Sequence, residues 1–494
     1  MKIAGLDIGT TGCKCTLFDE MGQYLDRAYR DYSVQRAVNG HEVDVSVIMD
    51  SVYEVLREMA YKYPDIAGIG ITSFGETFVM TDKTGEPLHA AMLYTDPRGA
   101  NENQELIAAL GDKNIAAITG LRPHEMYSIS KIMWLKKYQP KTFQAAEYIF
   151  LMEDYVVYHL TGKRQIDYSL ASRTMAFDIQ QLTWSKEIFD AAGIDIGLMS
   201  EPVPTGTDAG VIRLSSSLRI GLKQFVHIVS VSHDQIAAAV GAGAFDASVA
   251  VDGAGTVECI TPIFDSLPDV NVMYNGYFSI VPYVIPGKYA AYAFSYTGGA
   301  LMQWCVDTVA KKEKELARQQ ECSINEYLEK AGKSPTGLLV LPHFAGAATP
   351  YMDVGSKGAI LGLTMTTTAA ELYRGCMEGV VYEMLLNIEA LTGAGCCFTK
   401  MHATGGGAHS REWMQMKADM LNIPITVMKT VDAGTVGCAM LTGIAIGLFE
   451  NLENAANCMV QEAETFVPRN DMHEKYLKIY ERYQKVYKVV RPLM

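Results

Sequence analysis

The chain opens with two apolar runs that are separated by a short polar corner. The first run ends at Asp7, the letters IGTTG follow, and apolar residues resume around Cys15 and Leu17. This alternation, closed by a polar DEMG turn, predicts a β-hairpin with a tight glycine corner. Glycine lets a ligand approach the backbone, and successive N–H groups with threonine hydroxyls bind anions. The corner is therefore a candidate phosphate site, with an ordinary hairpin turn as the alternative.

The same order of residues returns halfway along the chain. In SVAVDGAGTVECITPIF (248–264), a strand, an aspartate, a Gly-Thr pair and a second apolar strand follow one another. The repeat predicts a duplicated α/β domain whose two anion-binding corners face one ligand across a cleft. A chance resemblance between two glycine turns is the alternative. The boundary between the halves is expected at 241–247.

Periodicity predicts further elements in both halves. Strands are expected at 66–74, 225–234 and 400–407, together with a hairpin that turns at 82–85. The stretch QIAAAVGAGAF, rich in small residues, is expected to be helical after the second of these strands. The other predicted helices lie at 45–63, 100–110, 130–138, 143–160, 298–311, 369–392, from the glycines at 405–408 to about 421, at 433–448, and within the polar tail 465–494.

Composition restricts the kinds of partner. Of 494 residues, 49% are hydrophobic and 20% charged, which suffices for two or three domains with sizeable cores. The net charge of −14 disfavours nucleic acid and anionic membrane surfaces. Ten scattered cysteines, without a disulfide framework or paired CxxC sites, predict free thiols in a reducing cytoplasm. We expect a cytoplasmic protein, because the chain shows no secretory signal and no run of about 18 apolar residues.

Two more glycine-rich corners precede predicted helices. The range 405–408 places three glycines and an alanine between a strand and a helix, more than a sharp β–α corner needs. The helix N-terminus behind them favours an anion. The stretch YTGGALMQW (296–304) is a weaker example of a glycine-opened helix. With the two Gly-Thr hairpins, these corners predict a site for a nucleoside triphosphate.

One aspartate ends a hydrophobic strand. Asp234 follows His233 at the carboxyl end of the strand 225–234, where open α/β sheets bind their ligands. Taken alone, this position favours a helix N-cap. With a phosphate donor opposite, the carboxylate instead becomes the acceptor of a hydroxyl proton. His233 is expected to pack beside it rather than to act as the base.

Several stretches match a known family in their order. The chain resembles the FGGY carbohydrate kinases, which include glycerol kinase, xylulokinase, ribulokinase and gluconokinase, from GLDIGTT to GTVGCAMLTGIAIG. MYSISKIMWLKKY (126–138) corresponds to the first family signature, with Tyr138 at an unusual last position. GAILGLTMTTTAAELYRGCMEG (358–379) corresponds to the second, with Gly375 in place of the usual Ala or Ser.

The resemblance implies an α/β fold with two ribonuclease H-like domains of the actin and hexokinase type and a cleft between them. The N-terminal domain, 1–243, would hold the sugar and the first phosphate hairpin. The C-terminal domain, 244–494, would hold the nucleotide and end in a helical tail.

The resemblance also implies a reaction and its residues. ATP would donate its γ-phosphate to a sugar or polyol hydroxyl, with Mg²⁺ as the cation. Asp234 corresponds to the catalytic base, and Asp7 and Asp234 correspond to the carboxylates at the metal, with Asp7 acting through water. The implied nucleotide contacts are Thr10, Thr11, Lys14, Gly255, Thr256, Gly298, Gly299, Gly406, Gly407 and Ala408.

The residues expected to select the sugar match glycerol kinases at some positions and xylulokinases at others. Glu76 corresponds to a glutamate of glycerol kinases, but Gly75 stands where they carry an arginine, so one fork of hydrogen-bond donors is missing. GGGAHSREWMQ is closer to xylulokinases. We expect a ketopentose, with glycerol, erythritol or gluconate as alternatives, and Arg98 as a brace for one of the sugar contacts. The implied sugar contacts are Glu76, Thr77, Asp96, Tyr127 and Gln235.

Two other classes of protein remain open at this point. A sugar-independent nucleotide switch on the actin-like fold keeps the phosphate corners but needs no acids on the sugar side. The second class is a catalytically inactive relative that acts as a regulatory or structural subunit. The presence of Asp7, Thr10 and Asp234 argues against this class. Members of the family are often dimers or tetramers, so a homodimer is one open oligomeric state.

Overall fold

The computed structural model divides into two compact units. It describes residues 1–37, 40–223, 225–330, 335–430 and 432–494. The first unit comprises Met1–Gly243, Ile280–Ala290 and Thr430–Gln461. The second unit comprises Ala244–Ser279, Ala291–Lys429 and Glu462–Met494. The first unit therefore includes two segments from the second half of the sequence. The predicted division into 1–243 and 244–494 does not include these two segments in the N-terminal domain.

Strands occur throughout the described ranges. They are β1 Lys2–Ile8, β2 Gly12–Phe18, β3 Tyr24–Asp31, β4 Gln35–Ala37, β5 Gly40–Val43, β6 Ile66–Ser73, β7 Phe78–Thr81, β8 Ala91–Met92, β9 Tyr148–Leu151, β10 Gln165–Asp167, β11 Phe177–Asp178, β12 Thr183–Trp184, β13 Glu201–Val203, β14 Thr207–Val211, β15 His227–His233, β16 Val249–Ala254, β17 Glu258–Phe264, β18 Ser279–Pro282, β19 Tyr289–Ser295, β20 Leu339–Leu341, β21 Ala359–Leu361, β22 Lys400–Thr404, β23 Ile425–Met428 and β24 Glu462–Phe466.

Helices alternate with these strands. They are α1 Val45–Lys62, α2 Ala100–Leu110, α3 Asp112–Thr119, α4 Ser128–Tyr138, α5 Pro140–Ala145, α6 Met152–Thr161, α7 Tyr168–Ser172, α8 Lys186–Ala192, α9 Leu214–Ile220, α10 Asp234–Gly241, α11 Val270–Asn275, α12 Gly299–Thr308, α13 Lys311–Gln319, α14 Ile324–Lys330, α15 Ala369–Thr392, α16 Arg411–Leu421, α17 Ala433–Ala445, α18 Leu452–Met459, α19 Asn470–Tyr483 and α20 Val486–Val490. Short 3₁₀ turns lie at Ile196–Leu198, Gly406–His409 and Arg491–Leu493.

A mixed sheet forms the centre of the first unit. Within the described residues its strand order is β14-β15-β6-β1-β2-β3. β1 pairs antiparallel with β2, so the hairpin predicted at the start of the chain is confirmed. β1, β6 and β15 run parallel to one another. Their carboxyl ends therefore meet at one edge of the sheet, which is where ligands of such sheets bind.

Helix α17 belongs to the first unit because its backbone touches two earlier elements. A Cβ added at Gly437 would lie 1.9 Å from the carbonyl oxygen of Ala237 on α10. A Cβ added at Gly241 would lie equally close, 1.9 Å, to the carbonyl oxygen of Ala433. Only glycine permits such a close approach of two helices. Because of this contact, the segment Thr430–Gln461 belongs to the first unit although it is distant from the rest of that unit in the sequence.

A second mixed sheet forms the centre of the second unit. Over the part of the chain that the structure describes, its order is β18-β19-β17-β16-β22-β23-β24. β16 and β17 pair antiparallel, so the second predicted hairpin is also confirmed. β16, β22 and β23 are parallel. The glycines after β22 thus lie beside the corner between β16 and β17.

The prediction of one helix at 143–160 is wrong. That range contains the end of α5, the strand β9 and most of α6. The letters YIFL of β9 form a short apolar run with aromatic and β-branched residues, and the strand pairs antiparallel with β7. A run of four apolar residues does not distinguish a strand from a helix by periodicity.

The polar tail is helical only from Asn470 onward. Before it, β24 pairs antiparallel with β23 at the edge of the second sheet. None of the helices that the structure describes is both long and apolar enough to cross a membrane.

Gly437→Ala is expected to destabilise the first unit, because the added methyl group would overlap the carbonyl oxygen of Ala237. We expect the free energy of unfolding to fall by about 3 kcal/mol, measured by calorimetry or denaturant titration. Gly253→Ala is the matched control, since its Cβ would meet its nearest atom at an ordinary 3.5 Å. Equal stability of the two variants would contradict the close packing of α10 on α17.

Candidate active site

Three carboxylates gather at the carboxyl edge of the first unit's sheet. Asp7 lies near the end of β1, Glu76 follows β6, and Asp234 follows β15. Asp7 and Glu76 are buried, whereas the Asp234 side chain is 31% exposed. The parallel arrangement of the three strands brings these residues together from distant parts of the sequence.

Asp234 has the properties of a general base. It is the first residue of α10, and His233 occupies the N-cap position, so Asp234 does not cap the helix itself. Burial, and then the charges of Asp7 and Glu76, raise the pKa of Asp234 to about 7. A base whose pKa lies near the working pH both accepts a proton and exists in the required ionised form.

His233 supports Asp234 without competing for the proton. Its Nε2 lies 3.2 Å from Oδ1 of Asp234. Burial, and then the nearby Arg173, hold the pKa of His233 well below its usual value. The imidazole is therefore neutral. His233 thus packs beside Asp234, as expected.

Asp7 is joined to a lysine and to a second aspartate. Lys14 Nζ lies 3.0 Å from Oδ2 of Asp7 and 2.5 Å from Oδ2 of Asp432, the residue that caps α17. Burial opposes the charge on Lys14, but Asp7 and Asp432 outweigh it and raise the pKa of the lysine. Burial raises the pKa of Asp7 despite the lysine. Sequence reasoning missed Asp432, which lies 418 residues from Lys14.

Glu76 is held in place by an arginine from another segment. Arg173, directly after α7, donates from Nε to Oε1 of Glu76 at 2.7 Å, and its Nη2 donates to the same oxygen. The backbone of Glu76 is left-handed, with φ of 61°, and Ser128 Oγ donates to its carbonyl oxygen at 2.7 Å. Sequence reasoning missed Arg173 as well.

Three other predicted sugar contacts, Thr77, Tyr127 and Gln235, differ in burial and in the groups they contact. Thr77 is buried, and its backbone N–H donates to the carbonyl oxygen of Gly75 at 2.7 Å. Tyr127 is buried with its ring 5.3 Å from the guanidinium carbon of Arg173. Gln235 follows Asp234 in the first turn of α10 and is partly exposed. Tyr127 thus contacts the Glu76–Arg173 pair, and Thr77 and Gln235 directly follow Glu76 and Asp234 in the chain.

Asp96 is enclosed by hydrogen bonds from Arg98 and from the backbone of His41. Oδ1 accepts from Nε of Arg98 at 2.8 Å and from its backbone N–H at 2.9 Å. Oδ2 accepts from Nη2 of Arg98 at 2.5 Å and from the backbone N–H of His41 at 2.8 Å. Burial alone would raise the pKa of Asp96, but these hydrogen bonds hold it below its usual value. Arg98 thus braces Asp96, as expected, and it occupies both carboxylate oxygens.

Backbone hydrogen bonds close the first glycine corner, which lies between β1 and β2. The N–H of Gly9 donates to the carbonyl oxygen of Gly12 at 2.9 Å. The hydroxyl group of Tyr32 donates to the carbonyl oxygen of Gly9, and the backbone N–H of Tyr32 donates to that of Thr11. Thr10 is partly exposed and Thr11 is exposed. The two hydroxyl-bearing residues of the predicted phosphate corner are therefore accessible.

The second unit contains a cavity of about 1180 Å³ that is lined by the predicted glycine corners. Gly255, Thr256, Gly299, Gly406 and Gly407 belong to its wall. Gly298 and Ala408 are chain neighbours of these residues rather than lining residues. A side chain at Gly406 would meet nothing within 4 Å, so this backbone faces open space.

Hydrogen bonds join two of these corners into one surface. The N–H of Gly299 donates to the carbonyl oxygen of Gly255 at 2.9 Å, and that of Gly298 to Thr256 at 3.0 Å. A Cβ at Gly405, whose φ is 88°, would lie 2.6 Å from the carbonyl oxygen of Ala254. Larger residues would force these segments apart. The glycines thus let three backbone segments line one cavity.

The far side of the cavity carries polar side chains that sequence reasoning missed. Ser410, the N-cap of α16, donates to Oε1 of Glu329 at 2.7 Å. Tyr373 donates to Oδ1 of Asn325 at 3.2 Å. The predicted segments contained no pattern that marks these four residues, since they come from two separate helices, α14 and α15, and from the N-cap of a third, α16. The cavity therefore combines bare backbone with a polar wall, as a nucleotide requires.

Two family models match the chain. The FGGY family of carbohydrate kinases, N-terminal domain, matches residues 2–241, and the FGGY family of carbohydrate kinases, C-terminal domain, matches residues 254–446. The chain belongs to the FGGY family of carbohydrate kinases. The resemblance inferred from the sequence is confirmed, and this FGGY kinase is a sugar phosphotransferase. Its family membership favours that class over a sugar-independent switch.

Relatives of this FGGY kinase differ in their sugar. A xylulose kinase of Staphylococcus epidermidis (strain ATCC 12228 / FDA PCI 1200) is 25% identical, over 99% of this chain and 97% of the relative. A glycerol kinase of Halorhodospira halophila (strain DSM 244 / SL1) is 31% identical, over 91% of this chain and 89% of the relative. Both kinds of relative thus align over nearly the whole chain.

Solved structures establish the fold of this FGGY kinase. A xylulose kinase from Lactobacillus acidophilus has a TM-score of 0.90 at 22% identity and covers 99% of this chain and 98% of that one. A gluconate kinase from the same organism has a TM-score of 0.88 at 22% identity, with the same coverage. The predicted fold class, two α/β domains of the actin-like ATPase type, is confirmed.

The donor chemistry in the first unit of the FGGY kinase fits Mg²⁺. Asp7 and Asp234 both offer carboxylate oxygens, and the charge of Asp7 raises the pKa of Asp234, a repulsion that a cation relieves. Among the described residues no group of three or more His, Cys, Asp or Glu side chains is arranged to hold a metal. An ion held by one or two carboxylates, water and phosphate oxygens is the usual arrangement for Mg²⁺.

A buried charge cluster lies beneath the second glycine corner of the FGGY kinase. Lys417 Nζ lies 2.6 Å from Oδ2 of Asp252 on β16 and 2.5 Å from Oε1 of Glu258 on β17. All three side chains are almost inaccessible to water. Burial, and then Asp252, raise the pKa of Glu258 well above its usual value. The lysine therefore holds the two strands on either side of Gly255 and Thr256.

Lys417→Met is expected to destabilise the second unit, because it leaves the carboxylate of Asp252 buried without its cation. Breaking such a buried pair costs about 3–5 kcal/mol, which denaturant titration would detect. Lys400→Met, at an exposed position on β22, is the matched control. An unchanged unfolding midpoint in Lys417→Met would refute the structural role of the cluster.

Proposed function

We propose that the enzyme transfers the γ-phosphate of ATP to a hydroxyl group of a ketopentose. The single observation that carries this proposal is Asp234, a carboxylate whose pKa of about 7 suits a general base, beside the Glu76–Arg173 pair in the first unit. The acceptor hydroxyl would be held by this pair, and its proton would pass to Asp234.

The proposed step balances without a further reactant. The sugar oxygen forms a bond to the γ-phosphorus, the bond from that phosphorus to the bridging oxygen of ADP breaks, and the hydroxyl proton moves to a carboxylate oxygen of Asp234. ADP and a sugar phosphate are the products. Positioning and neutralisation of phosphate charge supply most of the rate enhancement in such transfers.

The nucleotide is assigned to the glycine-lined cavity of the second unit. In the cavity, the backbone at Gly406 and the corner formed by Gly255 and Thr256 would lie against the phosphates. Thr10, Thr11 and Lys14 of the first unit stay predicted phosphate contacts. Mg²⁺, when bound at Asp7 and Asp234, would supply positive charge to the phosphate oxygens. Lys14 supplies a further cation, already oriented by Asp7 and Asp432.

The choice of a ketopentose rests on the mixed sugar site and on the relatives. The absence of a side chain at Gly75 distinguishes the chain from the arginine-bearing pattern of glycerol kinases, and the 25% identical relative is a xylulose kinase. Glycerol is the second candidate, because a glycerol kinase is 31% identical. Erythritol and gluconate complete the alternatives, and a homodimer stays a prediction.

A kinase screen tests the substrate. ADP release would be measured with ATP and Mg²⁺ and with D-xylulose, other pentuloses, pentitols, glycerol, erythritol and gluconate in turn. We expect the largest stimulation with a pentulose. A response to glycerol alone would replace the ketopentose with glycerol, and competent ATP binding with no response to any sugar would contradict the proposed reaction.

Asp234→Asn is expected to reduce sugar-dependent turnover by at least about 100-fold, because an amide does not accept the hydroxyl proton. ATP affinity, measured by calorimetry, should change little. Asp50→Asn is the matched control, since Asp50 is an exposed aspartate of the same unit. Turnover within a few-fold of the wild type would show that another group is the base.

The pH dependence of kcat/KM provides an independent measurement. Only the ionised form of Asp234 accepts a proton, and its pKa is about 7, so kcat/KM should rise with pH and level off above about 7. The rate is measured between pH 5 and 9 with a saturating concentration of ATP. A profile that is flat down to pH 5 would be inconsistent with this base.

A further inference from the structure

A bulge interrupts the pairing of β15 with β6 shortly before Asp234. Ser230 lies opposite Ile71 of β6, whereas Ser232 lies opposite the next residue of that strand. One residue of β15 between them is therefore extra. Such bulges disrupt the ladder of hydrogen bonds and re-aim side chains beside active sites. The position of Asp234 therefore depends on contacts other than this ladder.

The neighbouring strand on the other side, β14, does not reach the end of β15. It begins at Thr207, which lies opposite Ser230 in the antiparallel pairing. Residues 231–233 therefore extend past this neighbour. Buried backbone N–H and C=O groups need hydrogen-bond partners, because an unpaired one retains the full cost of its removal from water. The end of β15 thus requires partners from outside the two strands' ladders.

Two buried hydroxyl groups hold the backbone at this end of β15. Thr72 Oγ1, on β6, donates to the carbonyl oxygen of Ser232 at 2.6 Å. Ser169 Oγ, on α7, accepts a hydrogen bond from the backbone N–H of His233 at 2.9 Å. This carbonyl group and this N–H belong to one peptide group, the last before Asp234 that joins two residues of β15. Side chains from β6 and α7 therefore fix it at both of its polar atoms.

Asp167 sets the direction of the Ser169 hydroxyl group. Ser169 Oγ donates its single proton to Oδ1 of Asp167 at 3.1 Å, so its lone pairs are left to accept from His233. Asp167 in turn caps α7 by accepting from the backbone N–H groups of Ser169 and Leu170. It also accepts from Thr205 Oγ1 at 2.7 Å. The hydroxyl group is thus oriented by a carboxylate that is itself held in place.

Helix α7 also contacts a second carboxylate of the candidate site. Arg173 lies directly after this helix of five residues and donates from Nε to Glu76 at 2.7 Å. The first turn of α7 therefore contacts the backbone before Asp234, and the residue that follows the helix contacts Glu76.

We propose that Ser169 is a positioning residue, whose hydroxyl group fixes, together with Thr72, the peptide group between Ser232 and His233 and thereby the place of Asp234. This inference rests on the proposed function, in which Asp234 accepts the proton of the sugar hydroxyl. Ser169 acts through the backbone of His233 and not through contact with the sugar. A base must lie within hydrogen-bond reach of the proton that it removes, and a misplacement of about 1 Å can lower a rate by about 100-fold.

Ser169→Ala removes the acceptor for the N–H of His233, while Asp167 keeps the backbone donors that it caps. With ATP and the most active sugar of the kinase screen, expected to be D-xylulose, kcat should fall by about 10- to 100-fold and KM for either substrate should change by less than about threefold. Ser169→Thr keeps the hydroxyl group and should restore most of kcat.

Ser172→Ala is the matched control on the same helix. Ser172 is also fully buried, but its Oγ donates to the carbonyl oxygen of Tyr168 within α7 at 2.8 Å. Each alanine variant loses one buried hydroxyl group, so a merely structural role of Ser169 would lower the unfolding midpoint and leave kcat as it is in Ser172→Ala. That result would overturn the proposal.

Thr72→Val is a second variant, on a different element. It removes the hydrogen bond to the carbonyl oxygen of Ser232 at nearly constant side-chain volume. We expect kcat to fall by at least about tenfold with little change in KM. If Ser169→Ala does not fold, this variant decides, and an unchanged kcat in Thr72→Val would overturn the proposal.

Hydrogen exchange at the backbone N–H of His233 measures the contact without turnover. Overlapping peptides across 227–240, analysed by mass spectrometry, should show exchange at this position at least about tenfold faster in Ser169→Ala than in the wild type or in Ser172→Ala. Ser169→Thr should restore slow exchange. Equal exchange in the two alanine variants would overturn the proposal, and so would slow exchange without recovery of kcat in Ser169→Thr.

The two readouts separate this inference from the proposed function. If no sugar stimulates ADP release by the wild type, the proposed function fails, and the exchange at His233 still decides whether Ser169 fixes this peptide group. If turnover is normal and Ser169→Ala has the kcat of Ser172→Ala, the proposed function stands and the positioning role of Ser169 is refuted.

Discussion

The gathering of carboxylates at one edge of the first unit's sheet is the constraint on which the candidate site depends, because loss of water and then mutual repulsion disfavour their ionised forms. The parallel strands β1, β6 and β15 end at the same edge and bring Asp7, Glu76 and Asp234 together. Two of these acids are paired with cations, Asp7 with Lys14 and Glu76 with Arg173. At Asp234, burial and then the charges of Asp7 and Glu76 raise the pKa to about 7, and the histidine beside it is neutral. The pairing of its neighbours thus leaves one acid able to exchange a proton near neutral pH.

The second unit differs in that its glycines allow a ligand to approach the backbone closely. Three segments around Gly255, Gly299 and Gly406 line one cavity, and the contacts between them leave no room for a side chain at Gly298, Gly299 or Gly405. A buried lysine beneath the first of these segments offsets two carboxylates on the strands that flank it. Backbone donors and a rigid support are what the binding of phosphate requires. In the proposed reaction, the first unit would supply the proton acceptor and the predicted corner at Thr10 and Thr11, and the second unit would supply the glycine-lined cavity.

Much of this arrangement was predictable because it is local in the sequence. A hairpin, the glycines of its corner and an aspartate at a strand end all follow from the alternation of a few neighbouring residues. The helix at 143–160 was predicted wrongly, because the four apolar residues of β9 carry no periodicity of their own and become a strand only through pairing with β7. The assignment of α17 to the first unit likewise depends on contact with α10, which no local pattern reveals.

The sequence by itself determined which residue types end the strands and open the helices, and hence the two hairpins, the glycine corners and the position of Asp234. Tertiary structure alone decided the partners: Arg173 for Glu76 across 97 positions, and Asp432 for Lys14 across 418. The reason is physical. Backbone conformation responds to neighbours along the chain, whereas an ion pair depends on distance in space and on the exclusion of water, and both exist only once the chain has folded.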